Sequence, residues 1–111
     1  RDKGSCITCV PAIETFVVRS DDGFTIPSRE DSLIARAPQT FRLADILHAH
    51  EQARREGRHD FIDSLTLMSH YGAQISTIIG PMENIKITTP TDYFIFKAII
   101  EARENSQIFG I

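Results

Sequence analysis

At 111 residues the chain suits one domain or a piece of one, enough to bury roughly two-thirds of its unfolded surface and so to build a core. With 41% hydrophobic and 24% charged residues its composition is that of an ordinary soluble α/β or α+β protein, which excludes the disordered and collagen-like classes. A formal net charge of -3 gives no global attraction to polyanions, so neither nucleic acid nor an anionic membrane is expected as a partner, whereas a phosphorylated small molecule needs only a local positive site.

The start, Arg1-Asp2-Lys3-Gly4-Ser5, has no apolar stretch behind its basic residues, so no secretory leader is expected and the expected location is the cytoplasm. No apolar run is long enough to span a bilayer. Cys6 to Val10 reads as a buried strand that Pro11 ends or kinks. It contains a C-x-x-C, but residues three apart on a strand project from opposite faces. Cys6 and Cys9 are therefore expected to be two buried thiols rather than a redox or zinc pair.

Phe16 to Arg19 and Phe24 to Ile26 flank Ser20-Asp21-Asp22-Gly23, a turn cluster whose glycine tolerates positive φ. This predicts a β-hairpin, with Pro27 placing its return strand at an edge. From Leu43 the period becomes helical: Leu43, Ile46, Leu47, His50 and Ala53 recur at one face, and Gly57 follows Arg54 and Arg55 as the stop. A shorter helix is expected over Asp63 to Tyr71, ended by Gly72, then strands over Gln74 to Ile79 and Asn84 to Thr88.

Thr89-Pro90-Thr91-Asp92 is the clearest local signal. Thr89 can cap, Pro90 fits the first helical position and Asp92 sits where a capping-box acid reaches back. A helix should run from about Pro90 to Glu104, with Tyr93, Phe96, Ile99 and Ile100 facing a sheet. The order β, hairpin, α, α, β, β, α predicts an α/β fold with helices covering a mixed sheet. His48, His50, His59 and His70 lack ligand-like spacing, so no metal site is expected among them.

Two strings carry a family resemblance: Ala37-Pro38-Gln39-Thr40-Phe41, and Gly80-Pro81-Met82-Glu83-Asn84-Ile85-Lys86-Ile87-Thr88-Thr89-Pro90-Thr91-Asp92. Together they resemble the methylerythritol-phosphate and ribitol-phosphate cytidylyltransferases, with N-I-K-(I/V)-T-x-P-x-D the more specific part. Val10-Pro11-Ala12-Ile13-Glu14-Thr15 is similar to the family's strand and acid-Thr pair, and Pro27-Ser28-Arg29 to the arginine on its projecting arm. The resemblance covers almost the whole chain and implies a Rossmann-like nucleotidyltransferase domain.

The implied reaction is attack of a polyol phosphate on the α-phosphorus of CTP, giving a CDP-polyol and pyrophosphate, with Mg²⁺ as cofactor. Such chemistry depends on positioning and charge neutralisation. By the same resemblance Lys86 is the catalytic cation, bridging the attacking phosphate and the α-phosphate. Arg29 and Thr15, carried on an arm over residues 15–36 that interlocks with a twofold mate, hold the acceptor phosphate. The implied assembly is a homodimer.

Departures from the family pattern bear on the acceptor. Ala37 and Ile62 stand where methylerythritol enzymes carry threonines, and Glu14 stands where aspartate is usual. Because buried hydrogen-bonding partners set polyol specificity strongly, these changes favour a pentitol phosphate. The family's glycine-rich CTP loop and its Mg²⁺ aspartate have no counterpart here, Gly4 being the one glycine near the start. The chain is therefore expected to be the carboxy-terminal half of a longer enzyme, inactive by itself. The alternative is a non-catalytic dimerisation or ligand-sensing module.

Overall fold

The computed structural model describes residues 4–110, so Arg1 to Lys3 of the segment considered above for a leader lie outside them. The elements are β1 (Cys6–Pro11), β2 (Val18–Ser20), β3 (Gly23–Thr25), β4 (Leu33–Thr40), α1 (Leu43–Arg55), α2 (Ser64–His70), β5 (Ser76–Ile79) and α3 (Pro90–Phe109). The chain divides into two compact units, Arg1–Gly80 and Pro81–Ile111, each described by itself.

In the first unit β1 is the central strand of a three-stranded mixed sheet ordered β4-β1-β5. It runs antiparallel to β4 and parallel to β5. Flanked on both sides, it carries the buried residues Ile7, Cys9 and Val10. Cys6 is half-buried, and both cysteines are free thiols. Burial, with Cys6 nearby, pushes the Cys9 thiol up, which keeps it in the unreactive protonated form. Helices α1 and α2 pack through Ala49, Ala53, Leu67 and Met68, with Phe41, Ile46, Phe61 and Ile75 against this cluster. The architecture is α/β with a mixed sheet, as the element pattern predicts.

Strand β4 is absent from the sequence-based reading, and its physical reason is Pro38. Ile7 pairs with Gln39 and Cys9 with Ala35, so the single residue Thr8 faces three, Arg36, Ala37 and Pro38. The proline thus sits in a bulge on an edge strand, where no ladder N–H is required of it. Leu33 to Arg36, counted above in the arm, are the beginning of this strand. The hairpin itself forms as predicted but shorter, with Ser20 opposite Gly23 and Gly23 at φ 127, a value that favours glycine.

Two expectations for the second unit are corrected. Asn84 to Thr88 is no strand, because its amides are used locally: Asn84 N–H donates to the Pro81 carbonyl (3.1 Å), Ile85 N–H to that of Glu83 (2.9 Å), and Thr88 N–H to the Asp92 carboxylate (3.0 Å). Helix α3 runs on to Phe109 and ends at the left-handed Gly110, rather than stopping near Glu104. None of its residues is buried, and Tyr93, Phe96 and Ile100 on its apolar face are exposed. The predicted cap is present in full: Asp92 N–H donates to Thr89 Oγ1 (3.3 Å), and Thr89 N–H to the Asp92 carboxylate (2.9 Å).

Gly80 closes β5 with its N–H on the Cys9 carbonyl at 2.8 Å. A Cβ there would lie 2.6 Å from Thr8 Cγ2, so any larger residue requires the Thr8 side chain or the backbone to shift. Gly80→Ala is expected to lower stability in urea unfolding by about 1–3 kcal/mol through overpacking. Thr8→Ser removes the obstructing methyl, so the same substitution in that background should cost much less. Equal losses in both backgrounds would refute the contact.

The Thr89 N–H, then the Thr88 N–H and the Thr89 hydroxyl, hold the Asp92 carboxyl below its ordinary 3.8. A carboxyl depressed on folding contributes stability that is complete above its unfolded pKa and is lost as pH falls through the folded one. Amide-exchange protection at Thr88 and Thr89 should therefore persist down to the ordinary aspartate range and fall away below it, and Asp92→Asn should abolish that pH dependence. Protection that ignores pH across this window would contradict the cap.

Candidate functional site

The arm leaves and rejoins the sheet at one point. Ala12, buried just past β1, donates its N–H to the Ser32 carbonyl at 3.1 Å, closing the loop between them. Near its return a tight turn forms, with Asp31 N–H on the Ser28 carbonyl (3.3 Å) and Ser32 N–H on that of Arg29 (3.2 Å). Ser32 Oγ also donates to the Ser28 carbonyl at 2.6 Å. This turn aims Arg29 back across the base, where Nη1 donates to the Ile13 carbonyl at 3.2 Å.

The bond of Arg29 to Ile13 sets it two residues along the chain from Thr15. Thr15 is two residues beyond Ile13, within about 7 Å of chain, and it is exposed. A hairpin arginine ordinarily pairs with neighbouring acids, yet neither Glu30 nor Asp31 bonds to Arg29, which is held by a carbonyl instead. A carbonyl leaves the guanidinium charge uncompensated. With its remaining donors and an exposed hydroxyl close by, this group suits a phosphate.

Ala37 lies in the bulge of β4, beside Pro38. Ile62 lies elsewhere in the same unit, next to Asp63, which caps α2 by accepting from Thr66 N–H at 2.7 Å. That bond is the main cause holding the Asp63 carboxyl below its ordinary value. Ile62 is 88% exposed and borders an open cleft of about 690 Å³ with Phe61, Leu65, Thr66 and His70, a lining that does not include Ala37. In the first unit Arg29 is held at Ile13, two residues before Thr15, while the cleft at Ile62 does not reach Ala37.

Lys86, in the second unit, is exposed in the irregular run before the α3 cap. Asn84 and Ile85 are fixed by the local bonds given above, and Thr88 and Thr89 by Asp92, so the lysine is held between two anchored ends. Glu83 is already neutralised by Arg103, whose Nε donates to it at 2.9 Å. Among the described residues no three His, Cys, Asp or Glu side chains are placed to hold a metal ion.

Sequence reasoning passes over Arg36, in the same bulge as Ala37, with a buried Nε that has no hydrogen-bond partner among the described residues. No periodicity marks it, because its significance lies in burial.

Comparison with known proteins extends these local resemblances along the chain. A family model described as 2-C-methyl-D-erythritol 4-phosphate cytidylyltransferase, IspD, matches residues 1–102. A ribitol-5-phosphate cytidylyltransferase of Vibrio parahaemolyticus is 46% identical over 112 residues, covering 99% of this chain and 47% of that protein. A 2-C-methyl-D-erythritol 4-phosphate cytidylyltransferase of Pelotomaculum thermopropionicum is 36% identical over 103 residues, covering 91% of this chain and 43% of that protein. The crystal structure of the enzyme of that activity from Thermus thermophilus superposes with a TM-score of 0.72 at 25% identity, over 90% of this chain and 50% of its own. The chain spans about half the length of the curated relatives it matches. With the family model matched from residue 1 to residue 102, the chain belongs to the 2-C-methyl-D-erythritol 4-phosphate cytidylyltransferase (IspD) family.

Proposed function

We propose that these residues form the carboxy-terminal half of a cytoplasmic CTP-dependent cytidylyltransferase, whose full-length form transfers CMP from CTP to a polyol phosphate. The acceptor is a pentitol phosphate such as D-ribitol 5-phosphate, in preference to 2-C-methyl-D-erythritol 4-phosphate. The observation that carries this reading is the 46% identity, running through the whole chain, to relatives named for ribitol 5-phosphate. Ala37 and Ile62, which replace threonines of the methylerythritol pattern, support the same choice of acceptor.

In the reaction an oxygen of the acceptor's phosphate bonds to the α-phosphorus of CTP while the bond to the β-phosphate oxygen breaks and pyrophosphate leaves. Lys86 neutralises charge between the joining phosphates, for which an exposed ammonium between anchored backbone segments is suited. Arg29 and Thr15 hold the acceptor phosphate, and Ala37 and Ile62 border its polyol part. Mg²⁺, which the resemblance implies, would assist the donor phosphates, and none of the residues named here is assigned to hold it.

The active form is a homodimer built on the hairpin arm. Phe16, Val17, Val18, Phe24 and Ile26 are all exposed, and among the described residues β2 pairs with β3 alone. An isolated two-stranded hairpin is marginal in water, so this apolar surface needs a cover. A twofold interlock supplies one and carries Arg29 and Thr15 to the neighbouring subunit's acceptor site.

In the full-length protein Lys86→Ala is expected to lower turnover by about 10²-fold or more with unchanged folding, the usual effect of removing one preorganised donor. An unaltered rate would reduce Lys86 to a surface charge. Mixing Arg29→Ala subunits with Lys86→Ala subunits should restore part of the activity, because one composite site of the heterodimer keeps both groups. A mixture as inactive as either parent, after verified subunit exchange, would reject the shared site.

A further inference from the structure

A cleft of about 510 Å³ between the end of α1 and the start of α2 takes no part in the site described above. Its lining contains none of Thr15, Arg29, Ala37, Ile62 or Lys86, and its volume is that of a small-molecule site. The buried Ala53 and Leu67, with the half-buried Phe61, give it an apolar wall. Around that wall stand His50, Arg54, Arg58 and His59. One acid, Asp63, lines it as well, and its carboxylate already accepts from Thr66 N–H at 2.7 Å.

Helical period and one glycine gather these side chains. His50 and Arg54 are four residues apart on α1 and so share a face. Gly57, at φ 70, turns the chain, and the Arg58 N–H closes on the Ala53 carbonyl at 2.9 Å. Arg58 and His59 are thereby returned to the helical turn that carries Arg54. Arg58 stands 4.4 Å over the Phe61 ring and is neutralised by Asp60, so it serves as a wall. Arg54 differs. An exposed helical arginine ordinarily pairs with an acid one turn away, yet neither Glu51 nor any other described residue bonds its side chain. The imidazoles of His50 and His59 likewise have no partner among the described residues.

A concave place with one sign of charge and an apolar wall focuses potential, and here the uncompensated charge is positive in an acidic chain. Imidazole donates an N–H to an anion's oxygen in either charge state. Donors from three side chains suit the several oxygens of a phosphate better than the two of a carboxylate. We propose that this cleft binds the phosphate group of a small molecule, with Arg54 supplying the charge-assisted bonds and His50 and His59 further donors. The site is separate from the acceptor residues and does not rest on the functional reading above.

The test titrates the full-length protein with inorganic phosphate, pyrophosphate and ribitol 5-phosphate at constant pH and ionic strength, following the assigned imidazole NMR signals of His50 and His59. The expected result is a saturable shift of both signals with at least one of the three, and the tightest of them names the source of the phosphate. Arg54→Ala should weaken that binding by about 10-fold or more, the factor for a lost charge-assisted bond of about 1.4 kcal/mol or more. Arg54 is exposed and its side chain bonds nothing described, so the variant keeps the fold. Arg55→Ala removes the same charge from the neighbouring exposed position, outside the cleft, and should leave binding nearly unchanged. So should Arg29→Ala. No shift with any of the three, or a shift that sodium chloride reproduces, overturns the proposal. Equal weakening by Arg54→Ala and Arg55→Ala overturns it too, because general charge would then account for the effect, and so does loss of the shift in Arg29→Ala, which would trace it to the acceptor site. A protein inert toward every polyol phosphate would overturn the functional reading and leave this site standing, because binding is read here without turnover.

Discussion

The first unit depends on one strand held from both sides. β1 bonds antiparallel to β4 and parallel to β5, with Val10 fully buried. Because a one-residue slip in a strand turns every side chain to the other face, these two pairings fix the projection of all that follows. Ala12, immediately beyond β1, closes the arm on Ser32, and Ile13 supplies the carbonyl that holds Arg29. Thr8, in the middle of β1, faces the bulge of β4 and leaves Gly80 no room for a side chain.

Charge is distributed with the same economy of contacts. Arg58 and Arg103 are neutralised by Asp60 and Glu83, exposed pairs of the kind worth little to stability. Arg29 rests on a carbonyl and the buried Nε of Arg36 on nothing among the described residues, while Lys86 stands exposed between fixed backbone segments. An acidic chain can bind a phosphorylated molecule when a few cations escape pairing in this way, without attracting polyanions in general. The arrangement accords with phosphoryl-transfer chemistry, in which positioning and neutralisation outweigh covalent steps.

Features written in local chemistry were legible in the sequence. The apolar run Cys6 to Val10, the Asp22-Gly23 turn, the helical period from Leu43 and the Thr89-Pro90-Thr91-Asp92 cap all appear where short-range patterns place them. Features that depend on distant partners were not. Pro38 masks β4, because a bulge opposite Thr8 is invisible until β1 is known to pair there. Asn84 to Thr88 looks like a strand by composition, but its amides go to Pro81, Glu83 and Asp92. Arg29 and Thr15 were nameable by family resemblance, whereas the bond of Arg29 to the Ile13 carbonyl required the turn at Ser28 to Ser32. Arg36 carries no sequence signal at all, since an orphaned nitrogen exists only once a fold buries it.

The central claim is that this chain serves the acceptor side of a pentitol-phosphate cytidylyltransferase. Its most direct test is pyrophosphate release by the full-length protein supplied with CTP, Mg²⁺ and either ribitol 5-phosphate or 2-C-methyl-D-erythritol 4-phosphate at matched concentrations. The account predicts a higher kcat/KM for ribitol 5-phosphate, with the CDP-pentitol as co-product. A higher value for the methylerythritol substrate would contradict the acceptor assignment, and no release with either would contradict the proposed activity.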